Sequence, residues 1–151
     1  NDFKKLKLKV SILRIGLVLS KNGGILEKLI QFNKLRIINT IDGGNQWQSW
    51  INIDDLANMF YFIAKNKYEG IFNAVSPNPV SFNKLQDFVT NRYKKPFIKF
   101  NLSKYLFTLP FKILNILDFY HDMIASNKKV SSNKIQKLGF KFVYKSLKNL
   151  K

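Results

Sequence analysis

Cysteine is absent and histidine occurs once, at His121, in a chain of 151 residues. The first absence removes disulfides, thiolate nucleophiles and cysteine-ligated zinc together. The second leaves any multi-histidine metal centre or Ser-His-Asp triad resting on His121, and Asp122 beside it in sequence is not the geometry that either chemistry needs. Arginine is scarce as well: of 26 basic residues only Arg14, Arg36 and Arg92 are arginine. Arginine is preferred for bidentate contacts to phosphates and base edges, so its scarcity argues against a dedicated nucleic-acid reader despite the net charge of +17. The lysines run from Lys4 to Lys151 without gathering on one stripe. An excess of Lys, Asn, Ile and Phe is what an AT-rich coding sequence supplies, and much of the basicity reads as that background. No long apolar run exists either. The greasiest stretch, Tyr105 to Tyr120, is broken by Pro110, Lys112, Asn115 and Asp118, so a spanning helix is not expected. No signal-peptide pattern opens the chain, and a reduced, cytoplasmic setting is the expectation.

What is present has the size of one domain, enough to bury about two-thirds of its unfolded surface. The chain starts at Asn1 and runs quickly into strand-like sequence, so the expectation is a C-terminal piece of something longer. Leu8 to Leu19 reads as a buried strand, β-branched and largely apolar, in which Arg14 needs a partner or a ligand. Gly16 in that strand lets another backbone or a flat ligand approach closely. Ser20 to Gly24 is a turn, and Ile25, Leu26, Leu29, Ile30 and Phe32 make a short amphipathic helix. Gly23 and Gly24 lack the further spacing that defines a phosphate loop. Leu35 to Asn45 reads as an irregular link with a turn at Asp42-Gly43-Gly44.

Gln46 to Leu56 is the stretch where the chain changes character. Trp50, Ile51 and Ile53 are strand-formers, and Leu56, Met59, Phe60 and Ile63 then begin a 3.6-residue apolar stripe. Asp54 and Asp55 stand at the junction, where one can cap free N–H groups and both favour the positive end of the helix dipole. The plainer reading of the pair is a helix start alone. In an open α/β sheet such a turn also lies where ligands bind.

Ile71 to Val75 reads as a strand stopped by Ser76-Pro77-Asn78-Pro79. Ser81 caps a helix carrying Leu85, Phe88 and Val89, and Phe97 to Phe100 is strand-like. Ser103 to Ile124 is a helical region split at Pro110. A helix at Ser131 to Leu138, a Gly139 stop and the strand-like Phe140 to Tyr144 close the chain. Strands alternating with helices predict an α/β layered fold to about residue 100 with a small, mostly helical lobe over residues 101–151. Tyr61 and Lys65 have the Tyr-x-x-x-Lys spacing, but inside an apolar helix after the Asp-Asp turn the match reads as accidental.

Leu13-Arg14-Ile15-Gly16-Leu17-Val18-Leu19-Ser20, Gly23-Gly24, Gln46, and Ser49-Trp50-Ile51-Asn52-Ile53-Asp54-Asp55-Leu56 resemble the second half of the epimerase-family proteins. These are atypical extended short-chain dehydrogenase/reductases, similar to nucleotide-sugar epimerases. Phe72 to Val80 and the closing Val130 with Gly139-Phe140-Lys141-Phe142 resemble that family's C-terminal domain of unknown function. The resemblance covers nearly the whole chain in order. It implies the C-terminal part of a Rossmann-like doubly wound sheet over residues 1–100, followed by a small substrate lobe. It also implies NAD(P), held only together with an N-terminal half that carries the glycine-rich turn.

By the same resemblance Arg14 and Gly16 are the cofactor-binding candidates. Trp50, Asn52, Asn73, Ser76, Pro77 and Pro79 would line a substrate cleft, and Asp54 and Asp55 form a structural helix start. The family usually has His where Asn52 stands and a Gly-rich loop where Arg36 to Asn39 stand. No catalytic residue and no metal is expected within these residues. The implied partner is a small molecule, a nucleotide sugar or another polar metabolite, with no specific nucleic acid. The missing half would leave sheet edges and one face uncovered. Two other expectations stand beside this one: a non-catalytic basic module for RNA or an anionic membrane surface, and an inactive remnant.

Overall fold

The computed structural model describes residues 9–34, 37–91, 98–102 and 127–150. The expected helical region with its break at Pro110, and His121, lie outside the described residues, and so does much of the 101–151 lobe. Two compact units are present, each assembled from distant segments. The first comprises Asn1–Leu19, Ser49–Pro79 and Val130–Lys151, and the second Ser20–Gln48 and Val80–Lys129.

In the first unit the strand expected over residues 8–19 is two strands. β1 (Ser11–Ile15) and β2 (Leu17–Ser20) are separated by Gly16. Downstream, β5 (Trp50–Asn52) leads directly into helix α2 (Ile53–Lys65), which returns the chain to β6 (Gly70–Ala74). β1 pairs in parallel with β6, from Ser11 opposite Gly70 to Ile15 opposite Ala74. β2 pairs in parallel with β5, from Leu17 opposite Trp50 to Leu19 opposite Asn52. One extended run therefore changes partner at Gly16. α2 connects β5 to β6, which pair with the two halves of that run, so the chain returns in the same direction through a crossover helix.

The apolar stripe of α2 places Leu56, Met59 and Ile63 on one buried face. They join Ile51, Phe72, Ala74, Ile135, Phe140 and Phe142 in a single core. Phe140 and Phe142 meet edge to face with centroids 4.9 Å apart, and Phe62 packs on Phe140 at 5.4 Å. The segment Phe140 to Tyr144 is not a strand, contrary to expectation. Its alternation buries Phe140 and Phe142, but among the described residues its N–H groups at Val143 and Tyr144 go to a side chain rather than a ladder.

In the second unit α1 (Gly24–Lys34) and α3 (Phe82–Thr90) pack together, burying Ile25, Leu26, Leu29, Phe82, Leu85 and Val89. Ser81 caps α3 as expected, its side chain accepting from the Lys84 N–H at 3.3 Å. The expected irregular link holds a strand, β3 (Ile37–Ile41), paired in parallel with β8 (Ile98–Leu102). Its partner lies some sixty residues on, beyond the reach of any local pattern. A short antiparallel contact joins β4 (Trp47–Gln48) to β7 (Val80–Ser81). Gly44, at φ 68°, lies so close to Asn83 that a Cβ there would collide with its amide.

Candidate functional site

All of the site residues expected from sequence fall in the first unit, around the point where the strand changes partner. The Gly16 N–H donates to the Ala74 carbonyl at 3.1 Å, and the Leu17 N–H to the Ser49 carbonyl at 2.8 Å. The Ser76 N–H donates to the Trp50 carbonyl at 2.6 Å, so three chain segments converge here. A Cβ on Gly16 would overlap the Ser49 carbonyl oxygen and stand 2.7 Å from Val75 Cγ1. Gly16 is therefore required by crowding, which meets the first of the two expectations for it, another backbone rather than a flat ligand coming close.

Arg14 and Asn73 are register partners across β1 and β6, so they share one face of the sheet with Ile12 and Ile71. That face is open: Ile12 is 47% exposed and Ile71 42%. Arg14 is exposed, and no hydrogen bond or ion pair engages its side chain among the described residues. The expectation of a buried strand at this point is thus corrected, and with it the reason for Arg14 to need a partner or a ligand, because no desolvation cost arises on an open face. The Asn73 amide donates to the Ser131 carbonyl at 3.0 Å.

The helix start is also built differently from expectation. Asn52, in extended conformation, caps α2, and its side-chain oxygen accepts the Asp54 N–H at 2.7 Å. The cap is neither aspartate, since a carboxylate inside the first turn sits past the position from which a side chain reaches back. Asp54 and Asp55 do lie in that turn, next to the positive end of the dipole. Asp55, 1% exposed, points inward instead and accepts the Val143 and Tyr144 N–H groups at 2.9 Å each. Asp54 takes the Tyr144 phenol. Desolvation of the ring raises the Tyr144 pKa above its ordinary 10.0, and the Asp54 hydrogen bond and the Asp54 and Asp55 charges add to it.

Trp50 is fully buried, and its indole N–H donates to the Asn78 carbonyl at 2.9 Å. Ser76, 1% exposed, has its hydroxyl 3.3 Å from the Tyr144 carbonyl and 3.2 Å from that of Lys145. The Asn78 amide donates to the same Lys145 carbonyl at 2.9 Å. Pro77 and Pro79 remain partly exposed between these anchors. Residues 143–145 and Ser49 belong to this arrangement although sequence reasoning did not select them. The Ser49 hydroxyl accepts the Val130 N–H at 2.8 Å. A serine and an aspartate flanking a strand signal only that backbone donors need acceptors, not which donors.

Among the described residues no group of three His, Cys, Asp or Glu is placed to hold a metal ion. No helix among them is long and apolar enough to cross a membrane. No Gly-x-x-Gly-x-x-Gly turn occurs in the sequence, and Gly24 begins a helix rather than a phosphate cradle.

Parallel strands joined through a crossover helix define a Rossmann-like α/β class, and solved structures agree. Human epimerase family protein SDR39U1 (isoform 2), determined with NADPH, superposes at a TM-score of 0.73 with 21% identity, covering 92% of this chain and 45% of that one. A nucleoside-diphosphate sugar epimerase from Corynebacterium glutamicum gives 0.69 with 22% identity, covering 95% of this chain and 25% of the other. By sequence, an epimerase family protein of Staphylococcus epidermidis is 34% identical over 99% of this chain and 48% of its own length. The chloroplastic SDR39U1 homologue of Arabidopsis thaliana is 31% identical over 94% of this chain and 39% of its own length. The chain is homologous to part of the epimerase family proteins and spans under half the length of these relatives. No protein-family model matches it.

Proposed function

We propose that this chain supplies the substrate-side half of the cleft in an NAD(P)-dependent epimerase or reductase, the glycine-rich cofactor turn belonging to the rest of that protein. The observation that carries the reading is the junction at Gly16. A parallel strand changes partner there, next to an exposed arginine that no described residue engages. Ligands of open α/β sheets bind at strand ends where the topology switches, and a free guanidinium suits an anionic or polar group. Arg14 and Gly16 are the cofactor-side residues in this proposal. Trp50 and Asn52 back the cleft, and Asn73 with Ser76 to Pro79 forms its rim. NAD(P) would supply the hydride chemistry, and this chain's residues would position the substrate. The substrate is a small polar metabolite, a nucleotide sugar being the class that the similar solved structures suggest. We place the protein in the cytoplasm and divide the chain into a Rossmann part to residue 100 and a lobe beyond it.

The test is NADPH titration of the protein encoded by the complete reading frame that contains this chain, followed by tryptophan fluorescence. Saturable binding is expected, weakened about tenfold by Arg14→Ala, the size of one charge-assisted contact. The same substitution should leave the unfolding free energy within about 0.5 kcal/mol, as for any exposed side chain without a partner. Absence of NADPH binding, with steeply salt-dependent RNA binding in its place, would replace the reading with a basic binding module.

A further inference from the structure

The hydrogen bonds around Trp50 form a closed circuit. The Trp50 indole holds the Asn78 carbonyl, the Asn78 amide and Ser76 hydroxyl hold the carbonyls of residues 144 and 145, and the N–H groups of residues 143 and 144 end on Asp55. Asp55 stands three residues after β5, the strand that carries Trp50, and the Trp50 carbonyl in turn receives the Ser76 N–H. Each link is one that water would otherwise compete for, yet Trp50, Asp55 and Ser76 are all within 1% of full burial. A buried carboxylate with two backbone donors is a strong and directional anchor. The turn between Ser76 and Pro79, by contrast, has no ladder of its own, because neither Pro77 nor Pro79 has an N–H to donate.

We propose that Asp55 is a positioning residue for the Ser76 to Pro79 rim, acting at a distance through the closing segment over residues 143–145. In this arrangement the carboxylate fixes the backbone of the closing segment. That backbone presents two carbonyls to Ser76 and Asn78, and the rim so held presents the Asn78 carbonyl to Trp50. The role of Asp55 as a helix start does not require any of these contacts. The inference deepens the proposed function, since residues 76–79 count as a cleft rim only on that reading. Its test does not depend on the reading.

The experiment is hydrogen exchange by NMR on the 151-residue chain, comparing the Trp50 indole N–H and the Val143 and Tyr144 amides with the slowest-exchanging amides of the first unit's core. Asp55→Asn keeps the side-chain size and removes one acceptor. It should speed exchange at Val143, Tyr144 and the Trp50 indole by about 10- to 100-fold relative to those core amides, the size of one lost bond to a charged acceptor. Asn78→Ala cuts the circuit nearer the rim. It should speed the Trp50 indole while leaving Val143 and Tyr144 protected. Met59→Ala, a core change outside the circuit, should move all sites together. Release of Val143 and Tyr144 in Asp55→Asn with the Trp50 indole unchanged would make Asp55 a local anchor and overturn the proposal. Should Asp55→Asn fail to fold, an unchanged Trp50 indole in the Ser76→Ala, Asn78→Ala double variant overturns it equally. NADPH binding plays no part in this readout, so failure here and failure of the enzyme reading are distinguishable.

Discussion

The two units solve the same packing problem with different kinds of tie. In the second, α1 lies on α3, and the side-chain ties of α3 are shorter in range: Ser81 to Lys84 across its first turn, Thr90 to Asp87 in its last, and Asn83 to Gly43 forty residues back. In the first, side chains from residues 49–79 reach across to backbone of residues 130–145 at Ser49, Asp55, Asn73, Ser76 and Asn78. Local ties form as soon as their helix does. Distant ties demand loop closure first, and they hold only while the whole unit is assembled. Every residue selected from sequence as a site candidate lies in the first unit, the one whose side chains reach farthest along the chain. A cleft needs surfaces drawn from several strand ends, and that is the unit in which such ends meet.

The comparison breaks most directly at two fully packed phenylalanines. Phe72, 1% exposed, belongs to the first unit's core, and Phe82, fully buried, opens α3 in the second. Each truncation to alanine should cost about 3–5 kcal/mol. The difference lies in what is lost locally. Phe72→Ala should loosen the closing segment, seen as exchange at Val143 and Tyr144, whereas Phe82→Ala should leave those amides at their original protection. Equal loss of their protection in both variants would mean that the distinction between the units has no energetic content.

A smaller effect is expected at Gly16, where the first unit's segments converge. Gly16→Ala places a methyl group against the Ser49 carbonyl and Val75. Overpacking against backbone should destabilise by about 1–3 kcal/mol, measured by urea unfolding. Gly43→Ala in the second unit meets only the Asn45 amide at 3.4 Å and carries a left-handed backbone at φ 72°. Its cost should be the conformational one, about 1 kcal/mol. An unaffected Gly16→Ala would show that the two strand pairs can separate freely and that the partner change is not a fixed point.

The same contrast accounts for which features are legible in the sequence. The helices after Asn52 and Ser81, the turn at Asp42 to Gly44 and the strand after Gly70 are legible because periodicity, the Ser81 cap and turn residues are local signals, whereas Asn52 as a cap is hidden beside two aspartates that suit the same role. So is the crowding at Gly16, since a glycine inside an apolar strand marks a place where another backbone comes close. The exposure of Arg14 is not legible: an apolar run shows that a strand is half buried without showing which neighbour covers which face. β3 escapes because its partner is distant, and β4 and β7 because two residues carry no period. At the site, residue types point to Asp55, but its function as an acceptor for residues 143 and 144 depends on a contact spanning 88 residues. No spacing rule covers that distance.

The smallest effect concerns Tyr144 and sharpens the account of how the closing segment is held. Its phenol is pushed above the ordinary value of 10.0, by desolvation first and then by the Asp54 hydrogen bond and the two aspartate charges. A phenol whose folded pKa is raised binds its proton more tightly in the native state than in the unfolded chain. Its contribution is therefore fully present below pH 10 and is lost as pH rises through the folded value, because native protein then resists a deprotonation that the unfolded chain accepts. As pH rises above about 10, wild type should lose stability more steeply than Tyr144→Phe, the difference curve isolating this one phenol from the other tyrosines. Below about pH 9 the difference should be flat. A difference that stays flat as pH rises through 10 would mean that neither desolvation nor Asp54 acts on the phenol, and the closing segment would then be held at this point by Asp55 and the backbone alone.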